Sequence, residues 1–111
     1  MPTSSVVQHI SPTELAARLA AGEPLTLVDV RERWEWELAR IEGARLLPLS
    51  EFASGSAELP SDIDIVIYCH HGVRSLAAAQ FLVGQRVGAV FNLSGGIDRY
   101  AREVNPTIPR Y

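Results

Sequence analysis

Residues 65–82 read IVIYCHHGVRSLAAAQFL, and this stretch decides the fold. Its first four residues are apolar and mostly β-branched or aromatic, the pattern of a strand buried on both faces. The loop CHHGVRS (69–75) follows, with a glycine able to turn the chain. From Ser75 to Gly84 the residues favour helix, and Gly84 is placed to end it. Strand, tight loop and helix make half of a βαβ unit, and in the sheets built from such units ligands gather at the carboxyl ends of the strands. Cys69, the only cysteine of the chain, stands at such an end.

Working outward, the alternation continues. Ser11 is a good N-cap, Pro12 fits the first helical position, and Glu14 completes a capping box. Leu15, Ala16 and Leu19 form the apolar face of that helix, and Gly22 closes it. Residues 25–30 (LTLVDV) read as a second buried strand, 33–38 as a short helix, and 44–47 as a short apolar run stopped by Pro48. The polar, proline-containing stretch 54–62 reads as a surface loop. Residues 89–93 read as a further strand, Ser94-Gly95-Gly96 as a turn, and 97–104 as a last helix. The pattern predicts one α/β domain over 1–111, with 1–8 and 105–111 as extended tails and a parallel sheet covered on both faces. Asp29 and Arg31, at the end of one strand, should share a rim with the Cys69 loop.

Bulk properties exclude several classes. At 111 residues, with 47% apolar and 21% charged side chains, the chain suits one globular domain and is too apolar for disorder. The net charge is −3 and the basic residues are scattered, so neither a nucleic-acid nor an anionic-membrane footprint is present. No stretch approaches a membrane span, and the first residues lack the pattern of a signal peptide. A single cysteine cannot form an internal disulfide, which fits a reducing cytoplasm.

The loop explains why a thiol would stand there. A thiol beneath backbone amides at a helix N-terminus is favoured as its anion. Gly72 lets successive amides converge, Arg74 adds a permanent cation, and His70 and His71 add charge below neutral pH. The result is a nucleophilic sulfur in an anion cradle. Four residues separate Cys69 from Arg74, one fewer than in phosphatases that use a cysteine and an arginine on such a loop. The smaller ring suits a sulfur atom better than a tetrahedral phosphate.

CHHGVRS (69–75), DVRERWEWELARIEGA (29–44) and SGGIDRYAREV (94–104) together resemble the rhodanese family of sulfurtransferases, in particular its domains that stand alone or accompany enzymes adenylating sulfur-carrier proteins. The resemblance spans nearly the whole chain. It implies a three-layer α/β/α fold with a five-stranded parallel sheet, and a persulfide on Cys69 during turnover. It further implies that Arg74 and the loop from His70 through His71, Gly72 and Val73 to Ser75 hold that persulfide, that Asp29 and Arg31 brace the neighbouring loop, and that no cofactor is needed beyond the covalent persulfide. The donor would be thiosulfate or a protein persulfide, and a cysteine desulfurase or a sulfur-carrier protein would be the partner. The sequence departs from the family pattern in three places: Ala39-Arg40-Ile41 where many members have Gly-His-Ile, Tyr100 for a common Trp, and His70 where thiosulfate users often carry a fixed cation. The last argues against thiosulfate as donor in the cell.

Plainer readings stand beside these. Asp29 and Arg31 read first as an ion pair at a strand end. Trp34 and Trp36 read as packed against the sheet, and Glu32, Glu35 and Glu37 as a solvated helix face. Consecutive residues on a tight loop rarely aim at one ion, so Cys69, His70 and His71 are not expected to bind metal. A phosphatase or arsenate reductase on the same fold, and a persulfide carrier or sensor without turnover, are the competing functions.

Overall fold

In the computed structural model, which describes residues 6–111, five parallel strands form one sheet in the order β1-β5-β4-β2-β3: β1 (Gln8–Ile10), β2 (Leu25–Asp29), β3 (Arg45–Leu46), β4 (Asp64–Tyr68) and β5 (Val90–Leu93). Four helices connect them, α1 (Pro12–Ala20), α2 (Arg33–Leu38), α3 (Leu49–Gly55) and α4 (Val73–Leu82), and α5 (Gly96–Glu103) follows β5. The expected three-layer α/β/α fold with a five-stranded parallel sheet is the observed one.

Alternation along the central strand sorts the two covering layers. Val66 and Tyr68 of β4 face a core with Leu15 of α1 and Ile97, Tyr100 and Ala101 of α5. Ile65, Ile67 and Cys69 face the opposite core, with Phe52 of α3 and Ala78, Ala79 and Leu82 of α4. Cys69 therefore continues the pleat of β4 beyond its last ladder residue, and its thiol belongs to the α3/α4 side.

The first helix begins as its sequence dictates: the Ser11 hydroxyl accepts from the Glu14 amide at 3.2 Å, and the Glu14 carboxylate accepts from the Ser11 amide at 3.0 Å. Three elements differ from the sequence reading. The fifth strand is β1, whose residues Gln8-His9-Ile10 show no apolar run because it is an edge strand with only Ile10 buried. The stretch read as a loop from residue 54 instead carries the end of α3 and a 3-10 turn (Ser56–Glu58). The sequence of α3, LSEFASG, has weak helix propensity; burial of Phe52, edge-on to Phe81 of α4, holds it. Finally, α4 starts at Val73, two residues before the expected start at Ser75.

Residues 1–5 of the tail expected at 1–8 lie outside the described residues, and Gln8 belongs to β1. The 105–111 stretch has no regular structure, but it is not a loose end. Ile108 is buried in the α1/α5 core, and Tyr111 reaches the rim where β2 and β4 end.

Close contact between α5 and the turn after β4 positions that rim. The first amides of α5 have no partner within their own helix. Ile97 N–H donates to the Cys69 carbonyl at 2.9 Å, and Asp98 N–H to the His70 carbonyl at 3.1 Å. Gly96 permits the approach: its φ is +62°, and a Cβ there would overlap the backbone carbonyls of Cys69 and His70. Gly96→Ala is expected to destabilise the fold by about 2–3 kcal/mol, left-handed strain and backbone overlap acting together. Its thermal midpoint should fall by roughly 10 °C, as a small domain loses several degrees per kcal/mol; an unchanged midpoint would contradict the contact.

Candidate active site

The sulfur of Cys69 lies at the bottom of the turn between β4 and α4, 1% exposed. Gly72 (φ +107°) reverses the chain so that its amide points back, donating to Cys69 Sγ at 3.1 Å. Ser75, fully buried in the first turn of α4, brings its hydroxyl to 3.3 Å from the same sulfur. That hydroxyl also lies 2.6 Å from Asn92 Oδ1, and Asn92 Nδ2 donates to the Gly72 carbonyl at 3.1 Å. The Ser75 hydroxyl has one proton for two acceptors. With a thiol it serves Asn92; with a charged sulfur it can turn to Sγ. Asn92 thus ties both sulfur contacts to β5. Its sequence signal is a polar residue inside the apolar run AVFNL (89–93), which by itself does not mark a site residue.

Arg74 does not stand as a free cation. Its Nη1 donates to Glu35 Oε1 at 2.6 Å and its Nη2 to Glu35 Oε2 at 2.9 Å, a two-pronged pair. Glu35 is buried in the middle of α2, which corrects its reading as part of a solvated face; Glu32 and Glu37 are exposed. The Arg74 hydrogen bonds hold the Glu35 carboxyl down at about 2 against the opposing effect of burial. In turn Glu35 raises Arg74 further, so the guanidinium stays charged.

His70 is sandwiched. Its ring stacks on His71 (centroids 4.0 Å apart) and on Tyr111 (4.0 Å, interplanar angle 7°). Its Nε2 is buried with no hydrogen-bond partner. Burial first, and His71 second, lower its pKa, so His70 leans to the neutral form rather than adding charge. His71 is exposed, with Nε2 3.9 Å from Asp98 Oδ2, and Val73 is 78% exposed beside the loop. Ligand atoms of His70, His71 and Asp98 lie within 4.8 Å of one another. The two imidazoles are stacked, so their in-plane lone pairs lie in separate, near-parallel planes and do not converge on one point. Asp98 is also engaged by Arg110 at 3.0 Å and Arg102 at 3.4 Å. Both features disfavour a metal centre there.

Asp29 and Arg31 form an ion pair with both side chains 0% exposed, Nη2 to Oδ2 at 2.7 Å. Arg31 also donates to the Ala39 carbonyl at 2.5 Å and, through Nη1, to the Tyr111 hydroxyl at 2.7 Å. Burial opposes the Arg31 charge, but Asp29 and Tyr111 outweigh it. Trp34, read as packed on the sheet, is 60% exposed and meets Tyr111 edge-on; Trp36 is half-buried beneath the Arg40 guanidinium. Nothing in the sequence marks Tyr111 as a site residue, because the path by which 105–111 returns to the rim is set by tertiary contacts and not by local pattern.

The Glu35–Arg74 pair carries a pH signature. A carboxyl held near 2 in the fold and near 4.5 in the unfolded chain contributes stability that is complete above about pH 4.5 and lost as pH falls toward 2. Glu35→Gln should therefore destabilise the protein at neutral pH by about 1–3 kcal/mol. It should also flatten the acid limb of a stability-against-pH curve below pH 4.5. An unaltered acid limb in chemical denaturation would contradict the pairing.

The family described as "Rhodanese-like domain" matches residues 11–103. A sulfurtransferase of Allochromatium vinosum is 39% identical over 103 residues, covering 93% of this chain and 96% of that one. The probable adenylyltransferase/sulfurtransferase MoeZ of Mycobacterium tuberculosis is 38% identical over 104 residues, 92% of this chain, and the chain spans only 26% of MoeZ. Among solved structures, a rhodanese-like domain protein from Staphylococcus aureus superposes with a TM-score of 0.80 at 24% identity, covering 95% of this chain and 99% of that one, a likeness of fold. Among the described residues no helix is long and apolar enough to cross a membrane. By its fold and by these matches, the chain belongs to the rhodanese-like domain family.

Proposed function

We propose that the chain is a sulfurtransferase that moves a sulfane sulfur through a persulfide on Cys69. The observation that carries this reading is the environment of Cys69 Sγ: one backbone amide and one hydroxyl converge on it at the N-terminus of α4. The names of the sulfurtransferase relatives support the same chemistry.

In the first step the Cys69 thiolate attacks the outer sulfur of the donor. With thiosulfate, a bond forms between the two sulfurs, the donor S–S bond breaks, and its electron pair leaves on sulfite. The enzyme then carries an anionic persulfide, held by the loop amides, the Ser75 hydroxyl and the field of Arg74. His70, His71, Gly72 and Val73 shape the opening above it. In the second step an acceptor attacks the outer sulfur and Cys69 regains its electron pair; cyanide leaves as thiocyanate, and a thiol leaves as a persulfide. No cofactor or metal enters either step. Asp29 and Arg31, with no exposure, brace the rim rather than touch substrate.

Charge bears on the donor. Arg31 is bound to Asp29 and Arg74 to Glu35, while His70 leans neutral. A dianion such as thiosulfate finds little uncompensated positive charge, so thiosulfate is the laboratory donor. The cellular donor is a protein persulfide, of the kind a cysteine desulfurase carries, and a thiol or sulfur-carrier protein is the acceptor. A reducing cytoplasm suits such a persulfide.

Intact mass after incubation with thiosulfate, and separately with a small-molecule persulfide, tests the reading. The wild-type protein should gain one sulfur atom and lose it to cyanide; Cys69→Ser should gain none. Steady-state rates should give parallel double-reciprocal lines, as expected when a covalent intermediate divides the reaction. Retained turnover in Cys69→Ser, or wild-type protein that takes sulfur from neither donor, would overturn it. Stable loading without turnover would assign a carrier module, and hydrolysis of an aryl phosphate lost in Cys69→Ser a phosphatase.

A further inference from the structure

Tyr111 lies 42 positions after Cys69 in the chain, yet it touches the residue next to it. Its hydroxyl donates to Glu35 Oε2 at 2.6 Å and accepts from Arg31 Nη1 at 2.7 Å. The Glu35 carboxylate that receives this bond is the one that grips Arg74. An unbroken line of side chains therefore runs Asp29–Arg31–Tyr111–Glu35–Arg74. It begins on a pair with no solvent exposure and ends on the arginine of the cysteine loop, with Tyr111 as its middle member. Burial and Glu35 push the phenol up to about 12, so it keeps the proton the line requires. The ring makes a second connection, lying flat on His70 while Trp34 meets its edge.

We propose that Tyr111 is a positioning residue for sulfur transfer: its hydroxyl orients Arg74 through Glu35, and its ring pins His70, and with it the backbone of the Cys69 turn. The catalytic part of this statement rests on the function proposed above. The two halves of the side chain act on different neighbours, so they separate by substitution. Tyr111→Phe keeps the ring and removes the central hydrogen bonds, freeing the Glu35–Arg74 pair to rotate. Tyr111→Ala removes both and uncovers one face of His70.

The His70 side of the proposal has a readable sign. The groups facing His70 are His71 on its own loop, Asp98 of α5, Glu35 of α2 and Arg31 after β2; Asp98 and Glu35 favour its charge, His71 and Arg31 oppose it. Uncovering the ring relieves desolvation, the largest opposing influence, so the titration of His70 moves up toward its ordinary value of 6.5.

Single-turnover sulfur loading of Cys69, steady-state kinetics, NMR of the His70 ring and of Arg74 Nε–H, and a thermal midpoint test this on the intact chain. Tyr111→Phe is expected to load roughly 10-fold more slowly with little change in KM, the mark of a lost orienting contact. It should broaden or shift the Arg74 signal while leaving His70 titrating as in the wild type. Tyr111→Ala should lose at least as much rate and move the His70 titration upward. Wild-type loading rates in both variants would overturn the proposal, as would a His70 titration unmoved by Tyr111→Ala. If the wild-type protein accepts no sulfur from any donor, the sulfur-transfer reading fails; the Arg74 and His70 signals then still decide whether Tyr111 positions them.

Discussion

A carboxylate and a guanidinium with no solvent contact sit at the carboxyl end of β2, and the rim of this molecule is organised around them. Removing two charges from water is worth several kcal/mol of penalty per ion, offset only when geometry is good and the remaining protons find partners. Arg31 satisfies that condition: it meets Asp29 along one edge, the Ala39 carbonyl at the end of α2, and the Tyr111 hydroxyl. Each partner comes from a different part of the chain, so the pair fixes where α2 ends and where the 105–111 stretch returns. Glu35 is then held inward on α2 and finds Arg74. The same desolvation that makes the pair expensive to form makes it intolerant of a missing partner.

The sulfur depends on dipoles more than on net charge. Both arginines of the rim are matched by carboxylates, and burial biases His70 toward neutrality. Around Cys69 the direct contacts are the Gly72 amide and the Ser75 hydroxyl, and Asn92 of β5 holds that hydroxyl and the Gly72 carbonyl. Preoriented neutral donors in a site closed to water stabilise developing negative charge without having to reorganise as it appears. They also leave the site without a standing excess of positive charge that would trap passing anions.

Much of this was legible in the sequence, for local reasons. The strand–loop–helix of 65–82 marked β4, the turn and α4, and the Ser11–Glu14 box marked the start of α1. These elements advertise themselves through periodicity and caps, which reside in adjacent residues. β1 escaped because an edge strand with one buried residue has no apolar period, and α3 because one phenylalanine in a partner's core outweighs poor propensity. In the site, Cys69, Gly72 and Ser75 follow from the turn itself. Glu35, Asn92 and Tyr111 do not, because each acts on a residue between 17 and 76 positions away. Glu35 looked like one more exposed acid in a run of them; only the arrival of Arg74 and Tyr111 distinguishes it from Glu32 and Glu37.

Cys69 follows directly on the central strand of the sheet and is almost without solvent contact. β4 is flanked on both sides by strands and covered on both faces, so its own peptide groups, which fix where the cysteine turn begins, open only when much of the domain does, at close to the full free energy of unfolding. With Cys69 1% exposed, a reagent reaches the thiol only through a small reactive atom standing at its tip, and bulk carried close to that atom meets the packed walls of the turn.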